Sequence, residues 1–167
     1  MPEMQKYILD ANIFIEAKRR YYAFDLCPGF WDSLLYHCRE GNLESIDRVK
    51  VELLEGDDLD DWKKQASDLF VSTDSAVVLN AYGNAIQWVQ TQERFNDTAK
   101  SEFAGGVDAW VIAYAKANNG IVVTQEVSAP KSKKAVKIPD VCNHFDVQCV
   151  NTFAMLRQLK IVFILQA

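Results

Sequence analysis

Four acidic residues, far apart in the chain, stand where apolar segments begin or end: Asp10, Glu52, Asp108 and Glu126. Asp10 closes the run Tyr7-Ile8-Leu9, and Glu126 follows Ile121-Val122-Val123-Thr124-Gln125. Asp108 opens an apolar helical segment two residues after Gly105-Gly106, and Glu52 lies between Val51 and Leu53. A carboxylate at the end of a buried strand is costly unless something positive meets it. In an open parallel sheet, the C-terminal strand ends and the helix starts that follow them share one edge. Three or four hard oxygen ligands gathered there suit Mg2+ or Mn2+ better than zinc. Such an ion lowers the pKa of a bound water and offsets charge on a phosphoryl oxygen, so no His, Ser or Cys nucleophile is required. Each acid also has a plainer role available. In the first turn of a helix, for example, Asp108 offsets the helix dipole by ~0.3–1 kcal/mol.

The elements that must position these groups can be read from periodicity. Residues 6–10 form a buried strand, and Asn12 is placed to cap a helix with Ile13, Phe14 and Ala17 on one face. Residues 30–39 are helical. Ser45 is read as the N-cap of a further helix with Val49, Leu53 and Leu54 inward, and Glu44 and Glu55 as surface charges. Thr73 or Asp74 caps a long helix running to about residue 92. The clearest helix begins at residue 107 and ends at Asn118-Asn119-Gly120. Further strands are expected at 69–71, 121–124, 147–150 and 161–165. Alternating strands and helices predict an α/β domain with a mostly parallel central sheet covered on both faces.

The chain has 167 residues and a net charge of −5, which suits a single domain over 1–167 and excludes a broadly basic nucleic-acid binder. An acidic, ion-filled site with cations beside it remains open, because the ions reverse the local sign. The basic groups come in two runs: Lys18, Arg19 and Arg20, and then Lys131, Lys133, Lys134 and Lys137. The first run also suits the C-terminus of a helix. No apolar run approaches the ~20 residues that span a bilayer. The polar start carries no signal-peptide pattern, so a cytoplasmic protein with reduced thiols is expected. Cys142, His144 and Cys149 match no common zinc spacing.

At the four acids the sequence resembles the PIN-domain ribonuclease family. The matching stretches are Tyr7-Ile8-Leu9-Asp10-Ala11-Asn12, Val51-Glu52-Leu53, Asp108-Ala109-Trp110-Val111-Ile112-Ala113 and Ile121-Val122-Val123-Thr124-Gln125-Glu126. Their order and spacing agree over nearly the whole chain. Residues 14–31 and 137–142 look like an uncharacterised bacterial subgroup of that family. The resemblance implies a three-layer fold and an Mg2+- or Mn2+-dependent endoribonuclease, often the toxin of a toxin–antitoxin pair. Asp10, Glu52 and Asp108 would be metal ligands, Asn12 and Thr124 would support them, and Glu126 would be the fourth catalytic acid. Lys18, Arg19, Arg20 and the lysines at 131–137, Lys133 and Lys134 foremost, are the candidate RNA contacts. A cognate antitoxin and a homodimer, with Tyr21, Tyr22 or Trp62 as exposed aromatics, are the partners implied; a membrane is not. Two positions depart from the family pattern. Ala11 replaces a small hydroxyl residue, and Glu126 replaces an aspartate, so direct and water-mediated ligation by Glu126 both stay open. The rival readings are a related metal-dependent DNA nuclease, an inactive partner-binding module and a phospho-acceptor domain.

Overall fold

The computed structural model describes residues 4–53 and 58–166. Leu54, Glu55 and the readings placed on them lie outside the described residues. Within these bounds the order is β1 (Tyr7–Leu9), α1 (Ala11–Arg19), α2 (Pro28–Arg39), β2 (Leu43–Ile46), α3 (Asp47–Glu52) and α4 (Asp58–Gln65), then β3 (Phe70–Val71), α5 (Ala76–Thr91) and α6 (Asp97–Gly105). The chain continues through α7 (Asp108–Asn118), β4 (Ile121–Val123), α8 (Ile138–His144), β5 (Cys149–Val150) and α9 (Thr152–Gln158).

Five strands form one sheet in the order β3-β2-β1-β4-β5, and every pairing is parallel. Helices flank this sheet, giving the three-layer α/β arrangement expected. β1 is central, and Ile8 and Leu9 are wholly buried, as a strand covered on both faces requires. Tyr7 sits opposite Leu43 on one side and Ile121 on the other, which brings the ends of β1 and β4 level. The close approach has one strict requirement: a Cβ on Gly120 would lie 2.7 Å from Ile8 Cγ1.

Two strand assignments differ from expectation. Residues 43–46 form β2 rather than leading into a helix, so Ser45 is no cap. Its hydroxyl donates to the Leu9 carbonyl at 2.6 Å, from a fully buried position. Glu44 is likewise buried, not a surface charge: it accepts from the Tyr114 hydroxyl at 2.7 Å and pairs with Lys6 at 3.5 Å. Two polar residues in the middle of a four-residue strand erase its apolar signature, and only partners distant in sequence make them tolerable. Conversely, the apolar run at 161–165 takes no strand. Phe163 packs on the rings of Tyr22 and Phe30, while Val162, Ile164 and Leu165 are exposed.

The caps also shift. Asp10, not Asn12, caps α1, and Ser75, not Thr73 or Asp74, caps α5 by accepting from Val78 N. The end of α7 is as read, with Asn119 in the left-handed region at φ 52°. Trp62, expected outside, is buried against Phe14 and Trp31. Among the described residues, no helix is long and apolar enough to cross a membrane.

Candidate functional site

Asp10 is the first residue past β1 and is 1% exposed. Both carboxylate oxygens are held. Oδ1 accepts from Ala11 N at 2.7 Å, which starts α1, and Oδ2 accepts from Thr124 Oγ1 at 3.0 Å. Asp10 N in turn donates to the Val123 carbonyl at 3.0 Å. The parallel pairing of β1 and β4 therefore fixes this side chain from two strands. Thr124 is a relay, because its oxygen also accepts from Glu126 N at 3.1 Å. Asn12 is exposed and donates nothing to Asp10; the support comes from Thr124 and Ala11.

Asp108 opens α7 and is half-buried, whereas Glu52 ends α3 and is exposed rather than enclosed by its apolar neighbours. The two aspartates feel the charges of the other acids. Burial first, and then the charges of Glu126 and Glu52, push the Asp10 carboxyl up to about 6 against the hydrogen bonds that favour its charged form. Burial, followed by the charges of Asp10, Glu126 and Glu52, pushes Asp108 up to about 7, with Lys137 acting in the opposite direction.

Glu126 is turned to another task. Its Oε2 accepts from Ile138 N at 2.6 Å, holding the first residue of α8. Among the described residues, no three His, Cys, Asp or Glu side chains stand close enough together to enclose an ion as they are. The donor set nevertheless fits a hard divalent cation in charge and type: all oxygen, with a deeply buried carboxylate, Asp10, that forms no ion pair among the described residues. All four cysteines are free thiols, Cys142 buried and Cys27, Cys38 and Cys149 half-buried.

A family model described as a domain of unknown function, DUF4411, matches residues 7–163. The chain belongs to this family. The DUF4411 match takes in all four acids and every element that positions them. No curated protein matches the chain.

Two open clefts of the DUF4411 domain adjoin the acids. One, of about 450 Å3, is lined by Asn12, Glu16, Arg20, Tyr21, Gln125 and Glu126 among others. The other, of about 400 Å3, is lined by Arg48, Glu52, Tyr82, Gly106, Val107 and Trp110 among others. Of the basic residues singled out in the sequence, Arg20 lines the first of these two clefts, and its Nε pairs with Glu16 at 2.6 Å. Arg19 is exposed and Lys18 half-buried on α1, and Lys133 and Lys134 are exposed between β4 and α8. Tyr21 is exposed and Tyr22 half-buried. Two cations stand near the acids: Lys137, which belongs to the second basic run, and Arg48, which the sequence reading did not single out. Lys137 directly precedes α8 and acts on Asp108; Arg48 lies one helical turn before Glu52, a spacing that is visible in the sequence.

Proposed function

We propose that the chain is a PIN-type, divalent-metal-dependent endoribonuclease that hydrolyses RNA phosphodiester bonds, and that it serves as the toxin of a toxin–antitoxin pair. The observation that carries the reading is that Asp10 and Asp108, at the end of β1 and the start of α7, lie within the electrostatic reach of Glu126 and Glu52. Carboxylates brought together at such a desolvation cost point to a positive ligand. The all-parallel sheet and the order of the acids along it agree with the family resemblance.

Asp10, Glu52 and Asp108 would hold Mg2+ or Mn2+, with Glu126 bound directly or through a water. The ion, when bound, supplies an activated water and offsets charge on the phosphoryl oxygens. The protein's own residues do the positioning. Thr124 and the Ala11 amide orient the Asp10 carboxylate, and the β1–β4 pairing keeps Thr124 in place. In the hydrolysis, the water oxygen forms a new P–O bond, one ester oxygen leaves with a proton, and no 2′-hydroxyl takes part. The products therefore carry no 2′,3′-cyclic phosphate. The test is cleavage of single-stranded RNA in Mg2+ or Mn2+ buffer, with a DNA strand of the same sequence beside it. Cutting that stops with chelator and in Asp10→Asn supports the reading. Equal cutting by the parent and Asp10→Asn in the same buffer overturns it, and cutting of DNA alone favours the DNA-nuclease alternative. The toxin role predicts a neighbouring short reading frame that encodes a DNA-binding fold.

A second reading, an inactive partner-binding module, is favoured by the engagement of Glu126 with Ile138 N and by the spread of the acids. Calorimetric Mn2+ titration of the parent and Asp10→Ala separates the two: the module binds no ion at either.

A further inference from the structure

Arg48 and Glu52 stand four residues apart on α3, the spacing at which opposite charges on a helix ordinarily pair. Among the described residues they form no ion pair. The Arg48 guanidinium instead lies 3.6 Å above the ring of Trp110, which stacks on Tyr82 at 3.8 Å and 12°. The stack is braced at both ends. The Tyr82 hydroxyl donates to the Ala104 carbonyl at 3.2 Å, just before Gly105-Gly106. Arg48 Nε donates to Thr73 Oγ1 at 3.1 Å, and Thr73 is itself held by Asp47 through its hydroxyl at 2.9 Å and its amide at 3.2 Å. Thr73 is buried while Arg48 is exposed, so the anchor is fixed and Arg48 lines the cleft that also contains Glu52.

A guanidinium held over an aromatic platform, with its Nε engaged and its Nη groups without hydrogen-bond partners among the described residues, is arranged for a planar, two-oxygen acceptor. We infer that Arg48 is a phosphate-binding residue and that the cleft between α3 and α7 takes the backbone of a single-stranded RNA on the Glu52 side of the acids. This inference rests on the nuclease reading above. It explains why a cation so close to a carboxylate is held away from it: pairing with Glu52 would occupy both the clamp and a metal ligand. The platform gives Arg48 a fixed position at no electrostatic expense to the acids.

The experiment measures binding of a fluorescein-labelled single-stranded RNA of mixed sequence by anisotropy over a range of salt. It uses the full chain carrying Asp108→Asn, in chelator, so that nothing is cut. Arg48→Ala in that background is expected to weaken binding by roughly tenfold to a hundredfold and to lower the slope of log affinity against log salt by about 0.7, the share of one phosphate contact on a single strand. Arg48→Lys should keep the slope and recover part of the affinity, and Trp110→Leu should do the same, because each retains the charge and loses the fixed fork. Arg48→Lys also serves should Arg48→Ala unfold. An unchanged slope in Arg48→Ala, or full affinity in both Arg48→Lys and Trp110→Leu, overturns the clamp. The two failures are distinguishable. A parent chain that cuts RNA while Arg48→Ala leaves the slope intact loses only this inference; a parent that neither binds nor cuts RNA loses the nuclease reading with it.

Discussion

The four acids divide into an inner pair and an outer pair. Asp10 and Asp108 are tied to the frame: one follows the central strand, the other begins the helix that packs behind it, and burial raises both carboxyls above the ordinary carboxylate range. Glu52 and Glu126 stand on the rim. Glu52 is exposed at the end of the six-residue α3, and Glu126 reaches from the segment after β4 to the start of α8. Asp10 is positioned by hydrogen bonds from the sheet and Asp108 by the start of α7, so their places are set by the backbone frame. The outer pair depends on side-chain torsions that a bound cation would reset. The difference teaches that position here comes from strand and helix ends, and adaptability from longer side chains one methylene further out.

The largest expected effect tests that division directly. Asp10→Asn or Asp108→Asn should cut RNA cleavage by at least ~10²–10³-fold, the scale of losing one group that stabilises charge in the transition state. Glu126→Gln should cost only ~10–100-fold, as for an outer-sphere partner. Steady-state cleavage of one RNA by all three variants checks the ranking, and an equal loss for Glu126→Gln would erase the distinction between inner and outer acids.

The inner pair should also govern stability. Both carboxyls are raised in the folded chain, so the native state binds more protons than the unfolded one between the ordinary carboxylate range and about pH 7. Stability from this source is full below about pH 4 and is lost as pH rises through the folded values. In chelator, melting temperature should fall by roughly 8–16 °C between about pH 5 and pH 8, given ~1.4 kcal/mol per pKa unit and ~2–4 °C per kcal/mol in a chain of this size. Asp10→Asn should flatten the fall and raise melting at pH 8. A flat profile in the parent contradicts the buried-pair account.

Thr124→Val is a smaller perturbation that probes the relay. It removes the hydrogen bond to Asp10 Oδ2 and should push the Asp10 carboxyl still higher, shifting the pH profile of cleavage upward with little change in melting. The smallest effect is expected from Lys133→Ala with Lys134→Ala. These lysines are exposed and line neither cleft, so RNA affinity should drop only ~2–5-fold, with a slightly flatter salt dependence.

How much of this was legible follows the same division. The inner acids announce themselves because buried parallel strands read as unbroken apolar runs, and Asp10 ends such a run abruptly. The outer acids are harder to place from pattern: Glu52 seemed enclosed by Val51 and Leu53, yet Val51 is 84% exposed. β2 escaped because Glu44 and Ser45 find their partners in Tyr114, Lys6 and Leu9, none of them near in sequence. Residues 161–165 have strand composition but no strand, since apolar content alone does not supply a neighbour with free backbone groups. Arg48 was missed because its stacking platform, Trp110, lies far along the chain.

The most direct test of the central claim is a crystal of the full chain soaked in Mn2+ and measured at the manganese edge. The account predicts an anomalous peak coordinated by Asp10 and Asp108, with Glu52 drawn inward from the rim. Manganese bound elsewhere on the molecule, with none between those two aspartates at saturating concentration, would contradict it.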